Sequence, residues 1–438
     1  MKLNTNQTMQ HLFYFTLFTL MYTCSAFNDG QQSVTRSFSK NYTMPSETGV
    51  TASNLLLSAL DNETVNDAFH YAICKQLDSE FACNITLETW PFAHGTFRSH
   101  CADFKINLPE NNNSALYLTT IRSGSNKILL KAFTIFGEDG NRLKYEFTLI
   151  DMSKCTSIQH FIMDTKMVDR ESPKLVNVHK NAVEVGYANE KQCDGKPSCK
   201  ITYDYEGNKI GETEPFNLKY LQFDSSSKAV LPVNYQKPGK GYYIIERDFA
   251  HSLYAVSYVD SSGEGKRQIS NWIPDNIRYS AISCAHELYT HCHKNENEDR
   301  MVHCAQYDTE KLRMNITIEM LNTVVWLAVR DLSGGGFVLA TGSCTSTDKD
   351  TMEDLYSCKE FRIQRFSEDG QRYKALDIDE LEFLIQHSPR QLQVMISEND
   401  NDEFCIFLAS RNRLKDNNNG YYSFNKWCVS RKYTSVRD

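Results

Sequence analysis

Leu312-Arg313-Met314-Asn315-Ile316-Thr317-Ile318-Glu319-Met320 alternates apolar and polar residues without a break. A period of two buries one face of a strand and wets the other, whereas an amphipathic helix needs a period near 3.6. The alternation recurs at Ile201, Tyr203 and Tyr205 around Thr202 and Asp204, and at Tyr145, Phe147 and Leu149 around Glu146 and Thr148. The best helical candidate, Asp377 to His387, has apolar residues that suit a strand equally well. The chain reads as all-β.

Turns punctuate these strands at regular intervals. Phe136-Gly-Glu-Asp-Gly140-Asn-Arg-Leu-Lys144 matches Phe366-Ser-Glu-Asp-Gly370-Gln-Arg-Tyr-Lys374 at an offset of 230 residues. Weaker copies stand at Tyr205 to Lys209, Gly263 to Arg267 and Tyr307 to Lys311, and Asn419-Gly420 follows the last of them. Each combines an acidic turn-starter with glycine, where it is present, and a following basic residue, as a hairpin turn requires. Spacings of 44 to 67 residues between turn centres suit a four-stranded propeller blade with its loops. One more turn is expected near Gly95. The pattern predicts a single β-propeller of six or seven four-stranded blades over residues 66–438, after a Ser/Thr/Asn-rich lead-in at 27–65. The alternative is a pair of β-sandwich domains whose hairpins merely look periodic. In the propeller, residues from Trp427 to Val436 complete a sheet begun by the lead-in.

Cysteines track the repeat. Cys74 and Cys83, Cys193 and Cys199, Cys292 and Cys304, and Cys344 and Cys358 each flank a short loop, and Cys405 and Cys428 bracket the last unit. Local disulfides within each blade are the expectation, although spacing alone never fixes a connectivity. Cys101, Cys155 and Cys284 stay unassigned.

Residues 1–26 read as a secretory signal peptide. Lys2 precedes the apolar stretch Leu12 to Tyr22, and Cys24-Ser25-Ala26 places small residues before cleavage at Phe27. The stretch is short for a spanning helix, which needs about 20 residues. Five sequons follow, at Asn41, Asn62, Asn84, Asn112 and Asn315, and behind a signal peptide they are expected glycosylation sites. With 47 basic against 55 acidic residues, the balance gives no reason to expect a nucleic-acid partner.

No motif supplies a catalytic, cofactor-binding or metal-ligating residue. Cys284-Ala-His286-Glu287-Leu-Tyr-Thr-His291-Cys292-His293 looks like a zinc-protease segment, but His286 and His291 are five residues apart, not four. A metal site from Cys292, His293, His303 and Cys304 competes with a disulfide, which an oxidising compartment favours. Phe361-Arg362-Ile363-Gln364 is similar to the Phe-Arg-Ile-Pro motif of sialidases but lacks the proline and lies near the wrong end of the chain. Hydrolysis of a glycoside would need two converging carboxylates. Asp377, Asp379, Glu380 and Glu382 form an acidic group that reads as a solvated face. Glu398 to Glu403 lacks the glycine and spacing of a calcium loop and reads as a hairpin tip. Gly334-Gly335-Gly336 joins two apolar strands. The reading is a secreted, glycosylated, disulfide-stapled propeller without cofactor, which binds an extracellular protein or glycan through its loop faces and inserts into no membrane. The alternative is a secreted carbohydrate-active hydrolase on the same scaffold.

Overall fold

The computed structural model describes strands between Val34 and Ser430, with turns and side chains chiefly between residues 147 and 373; residues 1–33 and 431–438 lie outside it. Among the described residues every regular element is a strand. Strand β1 (Val34–Thr43) is followed by seven successive antiparallel sheets. Blade one is β2 (Ser53–Ala59), β3 (Ala68–Gln76), β4 (Glu80–Thr89) and β5 (Ser99–Asn107). Blade two is β6 (Ala115–Arg122), β7 (Lys127–Phe136), β8 (Arg142–Asp151) and β9 (Thr156–Asp164). Blade three is β10 (Leu175–Val178), β11 (Ala182–Tyr187), β12 (Cys199–Asp204) and β13 (Lys209–Pro215). Blade four is β14 (Lys228–Pro232), β15 (Tyr242–Asp248), β16 (Leu253–Val259) and β17 (Lys266–Gln268), with β18 (Ile273–Pro274) also paired to β16.

Blade five is β19 (Ile277–Ala285), β20 (Leu288–Asn295), β21 (Met301–Tyr307) and β22 (Leu312–Glu319). Blade six is β23 (Val324–Asp331), β24 (Phe337–Ser346), β25 (Leu355–Phe366) and β26 (Leu376–Ile378), with β27 (Phe383–Gln386) paired to β25. Blade seven is β28 (Leu392–Asn399), β29 (Glu403–Leu414) and β30 (Asn417–Ser430), and β1 supplies its fourth strand, with Ser37 opposite Trp427. Seven consecutive four-stranded meanders, the last completed by the first strand, are the organisation of a β-propeller. Blades one to four lie in one compact unit, Val50–Asp275, and blades five to seven in a second, Met1–Gly49 with Asn276–Asp438.

Two details differ from the sequence reading. The lead-in at 27–65 holds β1 and also β2, the strand around Leu55-Leu56-Leu57, so the first blade takes one strand from it. β1 is an outermost strand with one neighbour, β30, so the lead-in begins the sheet that the Trp427 segment completes, as the sequence leads one to expect. The near-identical turns also occupy different places: residues 137–141 separate the second and third strands of blade two, and 367–375 the third and fourth of blade six. Tight turns use the same chemistry at any hairpin, so their likeness does not fix blade phase.

Five turns between third and fourth strands are capped by a side-chain oxygen at their start. Asp204 Oδ1 accepts the backbone N–H of Glu206 at 2.9 Å and of Asn208 at 2.7 Å. Asp260 accepts Ser262 and Gly265 N–H at 3.0 and 2.8 Å, and Asp308 accepts Glu310 and Lys311 N–H at 2.7 and 2.8 Å. Asp151 does the same for Ser153 at 2.9 Å, and Ser367 Oγ for Gln371 at 2.9 Å. Gly263, at φ +78°, lies where a Cβ would come within 2.0 Å of the Asn217 carbonyl oxygen. Only glycine fits there.

Burial follows the strand period. In blade five, Met314 and Ile318 of β22 are buried while Arg313, Asn315, Thr317 and Glu319 are exposed. Met314 and Ile318 join Val302, Val324, Leu327, Val329, Phe337 and Leu339 in one apolar core between blades five and six. Leu175, Phe216, Leu218, Tyr242, Ile244 and Val259 form its counterpart between blades three and four.

Candidate functional site

The Cys284 to Cys304 segment folds as strands, so its histidines serve no helical zinc motif. His286 and Glu287 are the two-residue tip between β19 and β20, with φ of +53° and +66°. Positive φ at both central residues is what the tightest hairpin turns require. Cys292 and Cys304 face each other across β20 and β21 and are disulfide-bonded, which commits the two sulfurs of the conceivable metal site. The remaining histidines form a row. His293 stands opposite His303, with ring centroids 5.4 Å apart, and His291 stacks on His293 at 5.0 Å.

Hydrogen bonds hold the end of that row. His303 Nε2 lies 2.6 Å from Glu298 Oε2, and His303 Nδ1 lies 3.1 Å from Thr317 Oγ1. Asn295 donates to Glu298 at 2.8 Å. The His303 and Asn295 hydrogen bonds hold the Glu298 pKa below the usual carboxylate range. Burial and the neighbouring His303 depress His293 to about 4 against the pull of Glu298, so its ring is neutral at pH 7. Among the described residues no group of three His, Cys, Asp or Glu side chains is arranged to hold a metal ion.

The strongly perturbed carboxylates join blades to each other. Glu184 of β11 is buried, 2.8 Å from His179 Nε2 and 3.1 Å from Lys200 Nζ, and it accepts the Tyr242 hydroxyl of blade four at 3.1 Å. Burial pushes its pKa up, but the His179 and Lys200 contacts overcome that and bring it to about 2. Asp331, at the end of β23, accepts Gln306 Nε2 at 2.9 Å, the Ala285 N–H at 3.2 Å and the Thr290 hydroxyl, all from blade five. Its own N–H donates to Ser283 at 2.9 Å, and Gln306 also donates to the Gly336 carbonyl at 2.8 Å. Burial raises the Asp331 pKa against these contacts. Both carboxylates sit closed off from solvent with their partners already in place, as architectural groups do.

Among the described residues, an exposed loop of blade three is braced by a disulfide. Cys193 and Cys199 are disulfide-bonded across six residues. Between Tyr187 and Cys199 the backbone turns on itself: Cys193 N–H donates to Asn189 O at 3.0 Å and Gly195 N–H to Glu190 O at 2.8 Å. Lys196 Nζ reaches the Thr213 carbonyl at 2.9 Å, tying the loop to β13. Glu190, Lys191 and Asp194 project as exposed charges from this frame.

The other sequence-singled residues distribute as follows. Phe361, Ile363 and Gln364 are buried within β25, as strand interior. Asp377 stands in β26 opposite Arg362, and residues 379–382 lie outside the described residues. The register sets Cys74 opposite Cys83, Cys344 opposite Cys358 and Cys405 opposite Cys428. The Cys101–Cys155 disulfide, which spacing did not suggest, links two blades. Asn41, Asn84 and Asn315 fall in β1, β4 and β22, while Asn62, Asn112 and the 1–26 segment lie outside the described residues.

No protein-family model and no curated protein matches the chain. Among solved structures it is similar to the β-propeller domain of the trilobed protease from Pyrococcus furiosus, at 9% identity and TM-score 0.38, over 86% of this chain and 94% of that one. It is similar to the Dos1 propeller at 8% identity and TM-score 0.38, over 94% and 97%. A protein of unknown function from Dyadobacter fermentans aligns at 7% identity and TM-score 0.41, over 92% and 99%. The propeller assignment follows from the strand order itself.

Proposed function

We propose that this propeller is a secreted, glycosylated binding protein that recognises an extracellular protein or glycan. The observation that carries the reading is the disulfide-braced loop of blade three. Its exposed Glu190, Lys191 and Asp194 are held in one geometry before any partner arrives. A preorganised loop avoids the ordering cost of association, so its polar contacts convert into affinity. Three disulfides among the described residues suit an oxidising compartment, as does the apolar stretch ending in Cys24-Ser25-Ala26.

The test is direct. Secreted full-length protein is screened on glycan arrays and on intact cells, beside a Glu190→Lys, Lys191→Glu double variant. The expected result is a ligand whose affinity falls at least about tenfold in the variant, or about 1.4 kcal/mol, with the melting temperature unchanged. Binding indifferent to both reversals would remove the loop from the recognition surface. Turnover of glycoside substrates abolished by one carboxylate substitution would establish the hydrolase instead.

A further inference from the structure

The sequons that fall within strands share one property of the backbone. Asn315 is exposed on β22, the last strand of blade five, which pairs with β21 alone. Asn41 lies on β1, the outermost strand of blade seven. Asn84 lies on β4 at a register shift, where pairing with β5 passes from Cys83 opposite Phe104 to Ile85 opposite Cys101 and skips it. Each asparagine therefore stands where its strand lacks a ladder partner on one side.

An outermost strand presents a row of backbone donors and acceptors that a second chain can pair with, and secure folds cover or charge such edges. β22 is long for an edge, with eight residues, and its exposed side chains Arg313 and Glu319 flank Asn315 and Thr317 at its middle. We propose that Asn315 carries an N-linked glycan that covers the open edge of β22 and prevents its pairing with β22 of a second copy. The inference rests on the secretory reading above. A lipid-pyrophosphate-linked oligosaccharide is the donor: the Asn315 Nδ2–C1 bond forms, the C1–O bond breaks with its electron pair leaving on the lipid pyrophosphate, and the amide proton passes to a base of the transferase. In the folded blade the Thr317 hydroxyl of the sequon lies 3.1 Å from His303 Nδ1 and β22 is already laddered, so the transfer precedes closure of blade five.

The experiment expresses the full chain in glycosylating secretory cells and measures site occupancy by mass spectrometry and molar mass by light scattering. Wild-type protein is expected to carry glycan at Asn315 and to stay monomeric. Asn315→Gln should shift toward twice the monomer mass as concentration rises. Thr317→Lys also destroys the sequon but sets a cation on the edge, and it should remain monomeric without glycan there. Should Asn315→Gln not be secreted, trimming wild-type protein to the first sugar with an endoglycosidase must reproduce the self-association. Glycan at other sequons with none at Asn315, or a monomeric Asn315→Gln protein, overturns the inference while leaving the secretory reading intact. A chain retained inside the cell with every sequon bare sinks both.

Discussion

Cys101 of β5 is bonded to Cys155 in the turn after β8, so one covalent link spans 54 residues and joins blade one to blade two. Cys193–Cys199 closes only six residues within a blade. In the chain-entropy model the first bond removes about 4 kcal/mol of unfolded-state freedom and the second about 2 kcal/mol. Replacing Cys101 and Cys155 together by Ser is therefore expected to lower the urea midpoint about twice as far as the paired Cys193→Ser, Cys199→Ser change. Equal losses would mean that native geometry and not loop length governs these staples.

Register extends the argument to three further pairs. Cys74, Cys344 and Cys405 each stand directly opposite Cys83, Cys358 and Cys428 on the neighbouring strand. Non-reduced peptide mapping should recover those three bonds with the three already described. Cys284, buried on β19, lies outside these six pairs. Peptides joining Cys74, Cys344 or Cys405 to a different blade would break the assignment.

How far the sequence spoke can be judged from such positions. The alternation at Leu312 to Met320 is β22 itself, and the turns at Gly207, Gly263 and Gly370 lie between third and fourth strands because positive φ and an acidic starter leave a local trace. Blade phase left a poorer trace, since a hairpin such as Phe136 to Lys144 obeys the same chemistry at any place in the blade. The pairing of the lead-in with the Trp427 segment is expected from the need to close the ring, and β1 opposite β30 supplies it. The pairing of Cys101 with Cys155, and of Glu184 with Tyr242 58 residues later, depends on blade-to-blade packing that no local pattern encodes.

Glu184 is held by His179 and Lys200 and also accepts the Tyr242 hydroxyl of blade four, and acid should weaken the His179 and Lys200 contacts. With the Glu184 pKa brought to about 2 from an ordinary 4.5, its stabilisation is complete above pH 4.5 and is lost as pH falls toward 2. By pH 3 the loss should be about 2 kcal/mol. Tyr242→Phe keeps the edge-to-face packing on Phe216 at 5.7 Å and deletes only the hydroxyl. It should cost about 1–2 kcal/mol at pH 7. Chemical denaturation of both proteins at pH 7 and pH 3 checks each figure, and a Tyr242→Phe protein as stable as wild type would show the contact to be energetically idle.

His293 opens a separate and milder acid window. Its ring is flanked by His291 on its own strand and by His303, with Ser280 opposite on β19 and Glu298 at the hairpin. Folded His293 takes its proton only near pH 4, while an unfolded histidine does so near 6.5. Between those values the unfolded chain binds the extra proton, so stability is full above about pH 6.5 and declines as pH falls toward 4. The decline should reach about 2 kcal/mol at pH 5, above the range in which Glu184 begins to titrate. His293→Gln cannot take up that proton, and its urea midpoint should change far less between pH 7 and pH 5. If the variant loses as much stability as wild type over that interval, another group is responsible for the acid sensitivity and the buried His293 ring is not the cause.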